Sequence, residues 1–192
     1  MSKRIILAST SPRRKELLSK TGLAFEVVPG KYEEDMTLPM SPHDLAQFLS
    51  RGKAESLVSD FPNSIIISGD TFLSFEDKVL GKPHTPERAY EMLKMLSGNM
   101  HYVITGFTII DTETGQNISK SVGSKVFFKE MTDEEIHEYI ATGEPLEKAG
   151  GYAIQGMAGA FVANLSGSYS GVVGLPLCET VALLKRFNIP TP

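Results

Sequence analysis

Apolar positions along this chain follow two periods. Short continuous runs predict buried strands: residues 5–8 (Ile-Ile-Leu-Ala), and Ile65, Ile66 and Ile67, which read as a central strand bounded by Gly69. Residues 25–28 predict a shorter strand. Residues 102–111 and 118–129 predict two long strands joined as a hairpin by Thr-Glu-Thr-Gly-Gln at 112–116. Residues 72–80 predict another hairpin, with Glu76 and Asp77 near its turn. Stripes at spacings of three and four predict helices. One covers about 12–20, with Leu17 and Leu18 inward and Gly22 just past its end. A second opens at Ser41-Pro42 and buries Leu45, Phe48 and Leu49, with Gly52 weakening it. A third opens at Thr85-Pro86 and buries Ala89, Met92, Leu93 and Leu96 before Gly98. In the fourth, Thr132 and Glu135 form a capping box, and Ile136, Tyr139 and Ile140 precede Gly143. Pro176 opens the last, with Val181, Leu183 and Leu184 inward.

Residues 148–174 are rich in glycine, but Tyr152, Ile154, Phe161, Val162, Leu165, Val172 and Val173 are interleaved and call for burial. Tight turns fit better than a linker. Strands and helices mix without strict βαβ alternation. The pattern predicts an α/β fold, a mixed β-sheet flanked by helices, in a single domain over residues 1–192.

Composition narrows the function. A net charge of −4 gives no overall field toward nucleic acid or an anionic membrane. No apolar run approaches the ~18 residues of a membrane span. Only four apolar residues follow Lys3 and Arg4, so no signal peptide is predicted and the cytoplasm is the expected location. Cys178 is the only cysteine, which excludes an intramolecular disulfide and a cysteine-cluster metal site. No two of the four histidines stand at a zinc-ligand spacing such as HExxH, and neither GxxxxGK[ST] nor GxGxxG occurs.

The strand at 5–8 stops at three hydroxyl residues, Ser9, Thr10 and Ser11. Ser11 suits an N-cap and Pro12 the first helical position. The resulting helix start offers free N–H groups to an anion, and Arg13 and Arg14 add donors that suit phosphate oxygens. Alone, this pattern equally describes a capped surface helix with two solvated arginines. Asp70 follows the three isoleucines as a carboxylate at a predicted strand end, where open α/β sheets place ligands; an Asp capping a turn is the plain alternative. Glu33 and Glu34 lie in a polar loop that by itself reads as a solvated face. Lys82 stands in a stiff turn between Gly81 and Pro83, where an ammonium can meet a phosphate as a point charge. Gln155 offers an amide with donors and acceptors, for a base edge or for a buried structural bond.

Leu-Ala-Ser-x-Ser-Pro-Arg-Arg-x-Glu-Leu-Leu, residues 7–18, resembles the N-terminal signature of the Maf family. Further matches lie near Glu33, at Gly69-Asp70-Thr71, Gly81-Lys82-Pro83, Leu96-Ser97-Gly98, Lys148 through Gly156, and Gly167-Ser168-Tyr169 through Leu177. They run in the family's order over nearly the whole chain. The resemblance implies a nucleoside triphosphate pyrophosphatase with the elongated twisted sheet of inosine triphosphate pyrophosphatases. It implies Asp70 as general base, and Glu33 with Asp70 around a divalent metal, magnesium or alternatively manganese; Glu34 is the fallback ligand. It places Ser9, Arg13, Arg14, Lys53, Thr71, Lys82 and Gln155 on the substrate, and His101 in a structural role. It also implies a homodimer.

Within the resemblance, Thr71 after Asp70 and Gln155 after Ile154 match the group preferring dTTP and UTP, not the group preferring 7-methyl-GTP. Arg13 stands at the third specificity position. The competing readings are a 7-methyl-GTP pyrophosphatase and a non-enzymatic nucleotide-binding regulator of cell division. An RNA-binding module finds little support in a pI of about 5.6 and no aromatic-basic run.

Overall fold

The computed structural model describes residues 3–191. The strands are β1 (Arg4–Ala8), β2 (Glu26–Val28), β3 (Ser64–Phe75), β4 (Lys78–Leu80), β5 (Met100–Asp111), β6 (Asn117–Phe128) and β7 (Val162–Ser166). The helices are α1 (Pro12–Ser19), α2 (Pro42–Glu55), α3 (Pro86–Leu96), α4 (Asp133–Ala141), α5 (Tyr169–Val173) and α6 (Leu177–Arg186). Three 3₁₀ turns lie at Glu144–Glu147, Ala149–Gly151 and Met157–Phe161. The sheet order is β2-β1-β3-β5-β6-β7, with β4 paired to β3. It is mixed: β1 runs parallel to β2 and β3, while β3–β4 and β6–β7 are antiparallel. The predicted α/β class, a mixed sheet with helices, is what forms.

Local chemistry explains the helix starts. Ser11, Ser41 and Thr85 each have extended backbone, and each side chain accepts a hydrogen bond from the N–H three residues on. Each is followed by proline at the first helical position, where no N–H is missed. Thr132 and Glu135 complete the predicted capping box, from both sides. Phe48, expected on the inward face of α2, is 42% exposed. The stripe of that helix is narrower than the pattern suggested and runs through Leu45, Leu49 and Ala54.

The chain forms two compact units, each built from separated stretches. The first takes residues up to 70, 105–122 and 174 onward. Ile6, Ala8, Ile66 and Ile110 pack there with Ala54 and Leu57. The second takes residues 71–104 and 123–173. Its core joins Leu73, Leu93 and Leu96 to Val126, Phe128, Ile136 and Tyr139, with Tyr152 and Phe161 from the glycine-rich stretch. That stretch is therefore structural rather than a linker. It also contains β7 and α5, which glycine content hid from the sequence reading.

The strand end expected at Gly69 belongs to β1, not to β3. β1 pairs with β3 in parallel register from Arg4↔Ser64 to Ala8↔Ser68, then turns away into α1. β3 continues through Gly69 and Asp70 and pairs with β4 from Leu73 to Phe75. Asp70 thus lies in mid-strand, two residues beyond the last pair with β1.

Candidate functional site

In the first unit, strand and helix periods meet at Asp70. Residues two apart on a strand share a face, as do residues three apart on a helix. Ser68 and Asp70 therefore face the same side of β3, and Ser50 and Lys53 the same side of α2. The Ser68 hydroxyl donates to the Ser50 carbonyl at 2.6 Å. One step further along both elements, Lys53 Nζ bonds Asp70 Oδ1. The first contact sets the alignment that the second needs. Asp70 is buried, at 6% exposure. A polar seam supports this stretch of α2, with Ser50 Oγ 2.8 Å from Thr108 Oγ1.

Lys53 Nζ also lies 2.7 Å from Glu34 Oε1. One ammonium thus gathers two carboxylates. Glu33, the metal ligand expected beside Asp70, is exposed, as is Glu34, and the carboxylate that pairs with Lys53 is that of Glu34. Tyr32 lies over Gly52 on α2, and Glu34, two residues on, reaches the next residue of that helix. Both glutamates were visible in the sequence. Which one faces α2 follows from where Tyr32 docks.

The two arginines of the strand–helix turn separate in role. Arg14 is 8% exposed. Its Nε donates to the Gly174 carbonyl at 2.8 Å and its Nη1 to Ser9 Oγ at 2.7 Å. Burial lowers its pKa, Arg13 lowers it further, and Asp70 and Glu34 pull it back up. Arg14 therefore ties the turn to residue 174 and sets positive charge near Asp70, a placement that the phosphate-contact reading did not anticipate. Ser9 is buried, bonded by Arg14 and by the Ser11 amide, the latter at 3.2 Å. Arg13 is only partly buried, at the N-terminus of α1, and is the arginine better placed to meet an anion.

In the second unit, Thr71 is partly exposed, directly after Asp70. Lys82 is exposed and pairs with Glu147 Oε2 at 3.2 Å. Its turn is pinned by Gly150 N donating to Gly81 O at 2.9 Å and His84 N to Leu146 O at 3.1 Å. An exposed pair of this kind is weak and exchanges readily for another anion. Gln155 is exposed, which removes the buried structural amide as its explanation. His101 is fully buried on Phe128 and Tyr152, in keeping with a structural role.

Magnesium favours one or two carboxylates, completed by water and phosphate oxygens. Among the described residues no group of three or more His, Cys, Asp or Glu is assembled to hold a metal ion. The convergence of Asp70 and Glu34 on one cationic nitrogen does match the two-carboxylate type. A cleft of about 770 Å³ also occurs in the first unit, lined by Ile5, Phe25, Phe187 and Ile189 among others. None of the candidate residues lines it.

Comparison with known proteins identifies the family. The Maf-like protein family matches residues 4–187. A dTTP/UTP pyrophosphatase of Geobacillus sp. (strain WCH70) is 46% identical over 97% of this chain and 99% of its own length. One from Geotalea uraniireducens is 48% identical over 96% and 95%, and one from Methanosarcina mazei 44% over 97% and 95%. Among solved structures, a nucleoside-triphosphatase / dITP/XTP pyrophosphatase from Mycobacterium abscessus aligns at 15% identity and a TM-score of 0.45, covering 67% of this chain and 75% of its own. That likeness is too slight to carry an argument. No helix among the described residues is long and apolar enough to cross a membrane. Matched over nearly its whole length by the family and by relatives that share close to half its residues, this chain belongs to the Maf family.

Proposed function

We propose that this protein hydrolyses dTTP and UTP between the α and β phosphates, releasing the nucleoside monophosphate and pyrophosphate. The observation that carries the reading is the buried Asp70 joined to Lys53 and Glu34, in a chain whose relatives bear that activity in their names. Phosphoryl transfer asks the protein mainly for positioning and charge neutralisation. Asp70 accepts the proton of the attacking water. Lys53 keeps positive charge against both carboxylates and holds them in place. Arg13, at the start of α1, takes phosphate oxygens, and Lys82 exchanges Glu147 for phosphate. Arg14 and Ser9 hold the turn that presents Arg13. Thr71 and Gln155 contact the base.

Asp70 and Glu34 would hold a divalent cation, magnesium or manganese. When bound, such an ion lowers the pKa of its water and neutralises phosphate charge. The cytoplasm is the location that suits a nucleotide substrate. The homodimer is supported by the resemblance alone.

Incubation with UTP and magnesium, followed by chromatography of the products, tests the reaction. UMP and pyrophosphate in equal amounts are expected. UDP and orthophosphate would place the cleaved bond elsewhere. Bound but uncleaved UTP would favour the non-enzymatic regulator.

A further inference from the structure

We propose that Glu144 is a positioning residue for base recognition, its carboxylate fixing the corner of chain that presents Gln155. The inference rests on the reading of Gln155 as a base contact. Gln155 is exposed and stands on irregular chain between two 3₁₀ turns. An exposed amide on such a segment discriminates between bases only if its backbone is held, because a loose donor follows any partner offered. Local bonds close the turn, with Gly156 N donating to Ala153 O at 2.9 Å and Gly159 N to Gly156 O at 3.1 Å. These bonds shape the corner without attaching it to the rest of the unit.

Glu144 supplies an attachment. The Tyr139 hydroxyl, on α4, donates to Glu144 Oε1 at 2.8 Å. The Met157 N–H, two residues beyond Gln155, donates to Glu144 Oε2 at 3.3 Å. One carboxylate thus bridges a buried helix residue and the chain beside the base contact. Tyr139 is 2% exposed. Burial, with help from the Glu144 bond, raises its pKa and keeps the hydroxyl a donor. Gly156 sits against the same carboxylate, where a Cβ would overlap both of its oxygens. A glycine at this corner is therefore room for Glu144. On the other side of Gln155, Tyr152 Oη lies 2.7 Å from His101 Nε2, and the tyrosine ring packs 4.7 Å from Phe128. Burial lowers the His101 pKa to about 4, so this second anchor stays neutral near pH 7. The segment is held on both sides of Gln155: Tyr139 also bonds the Ala153 backbone, and Glu144 is the attachment on the Met157 side.

The test measures kcat/KM for UTP and CTP in Glu144→Ala, Tyr139→Phe and Gln155→Ala, alone and with Glu144→Ala added to Gln155→Ala. Cytosine reverses part of uracil's donor and acceptor pattern, so the UTP/CTP ratio reports how firmly the amide is aimed. Glu144→Ala is expected to lower that ratio by at least about fivefold. Tyr139→Phe should lower it less, and Gln155→Ala should remove most of it. Glu144→Ala should add little to Gln155→Ala, as expected for residues acting as one unit. A merely structural role lowers turnover of both nucleotides by one factor and leaves the ratio unchanged. That result, with Gln155→Ala still collapsing the ratio, overturns the role of Glu144 alone. An unchanged ratio in Gln155→Ala overturns the base contact and this inference with it. If Glu144→Ala does not fold, Glu144→Gln, which keeps the size of the side chain but leaves one of its two donors without an acceptor, decides by the same ratio.

Discussion

Asp70→Asn is expected to lower kcat on UTP by at least about 10², the scale of losing acid–base assistance, while the protein stays folded. The amide keeps the shape of the side chain but cannot take a proton from water. The fold should survive because Lys53 is not left alone: its second partner, Glu34, remains 2.7 Å away. The Ser68–Ser50 bond that aligns β3 with α2 is also untouched. Steady-state kinetics beside a thermal melt reads both halves of the expectation. Turnover near that of the wild type in a folded Asp70→Asn protein would remove Asp70 from the mechanism.

Arg14→Ala should have the second large effect, and should show it first in stability. The guanidinium is buried and bonds both Gly174 O and Ser9 Oγ. Its removal leaves a cavity, two polar atoms short of a donor, and less positive charge near Asp70 and Glu34. The loss expected in urea unfolding is about 3 kcal/mol or more, since each buried bond from a charged donor contributes roughly 1.5–3 kcal/mol. Arg13→Ala, one residue away, should change stability by no more than about 0.5 kcal/mol, and should raise KM for UTP. The pair separates two arginines that the Ser-Pro-Arg-Arg pattern presents as alike. Arg14→Ala with unchanged stability and a raised KM would return Arg14 to the phosphate.

Features with a local cause were legible in the sequence. A hydroxyl residue followed by proline marks the starts of α1, α2 and α3, because both the cap and the missing N–H act within one turn. The turn at Glu76 and Asp77 was legible too; both take positive φ, as a tight hairpin demands. What escaped depends on partners distant in sequence. Gly69 was read as the end of a strand, but β3 runs on because β4 pairs with it where β1 has left. Glu34 rather than Glu33 meets Lys53, because Tyr32 docks on Gly52. No composition rule says which way a loop turns. Lys53 carried a spacing signal that went unused: it follows Ser50 by three and Asp70 follows Ser68 by two, so one helix face meets one strand face twice. Glu144 carried no motif at all, and its bonds to Tyr139 and to the Met157 amide appear only in the folded chain.

The most direct test of the account is kcat/KM for dTTP, UTP, CTP, ATP, GTP and 7-methyl-GTP, measured by pyrophosphate release under one magnesium condition. The resemblance at Thr71 and Gln155 implies the pyrimidine group. A uracil or thymine ring offers the N3–H between two carbonyls that an amide can partly complement. The account predicts dTTP and UTP as the best substrates, CTP below them, and ATP and GTP poor. A preference for 7-methyl-GTP of about tenfold, roughly 1.4 kcal/mol in transition-state binding, would contradict the assignment.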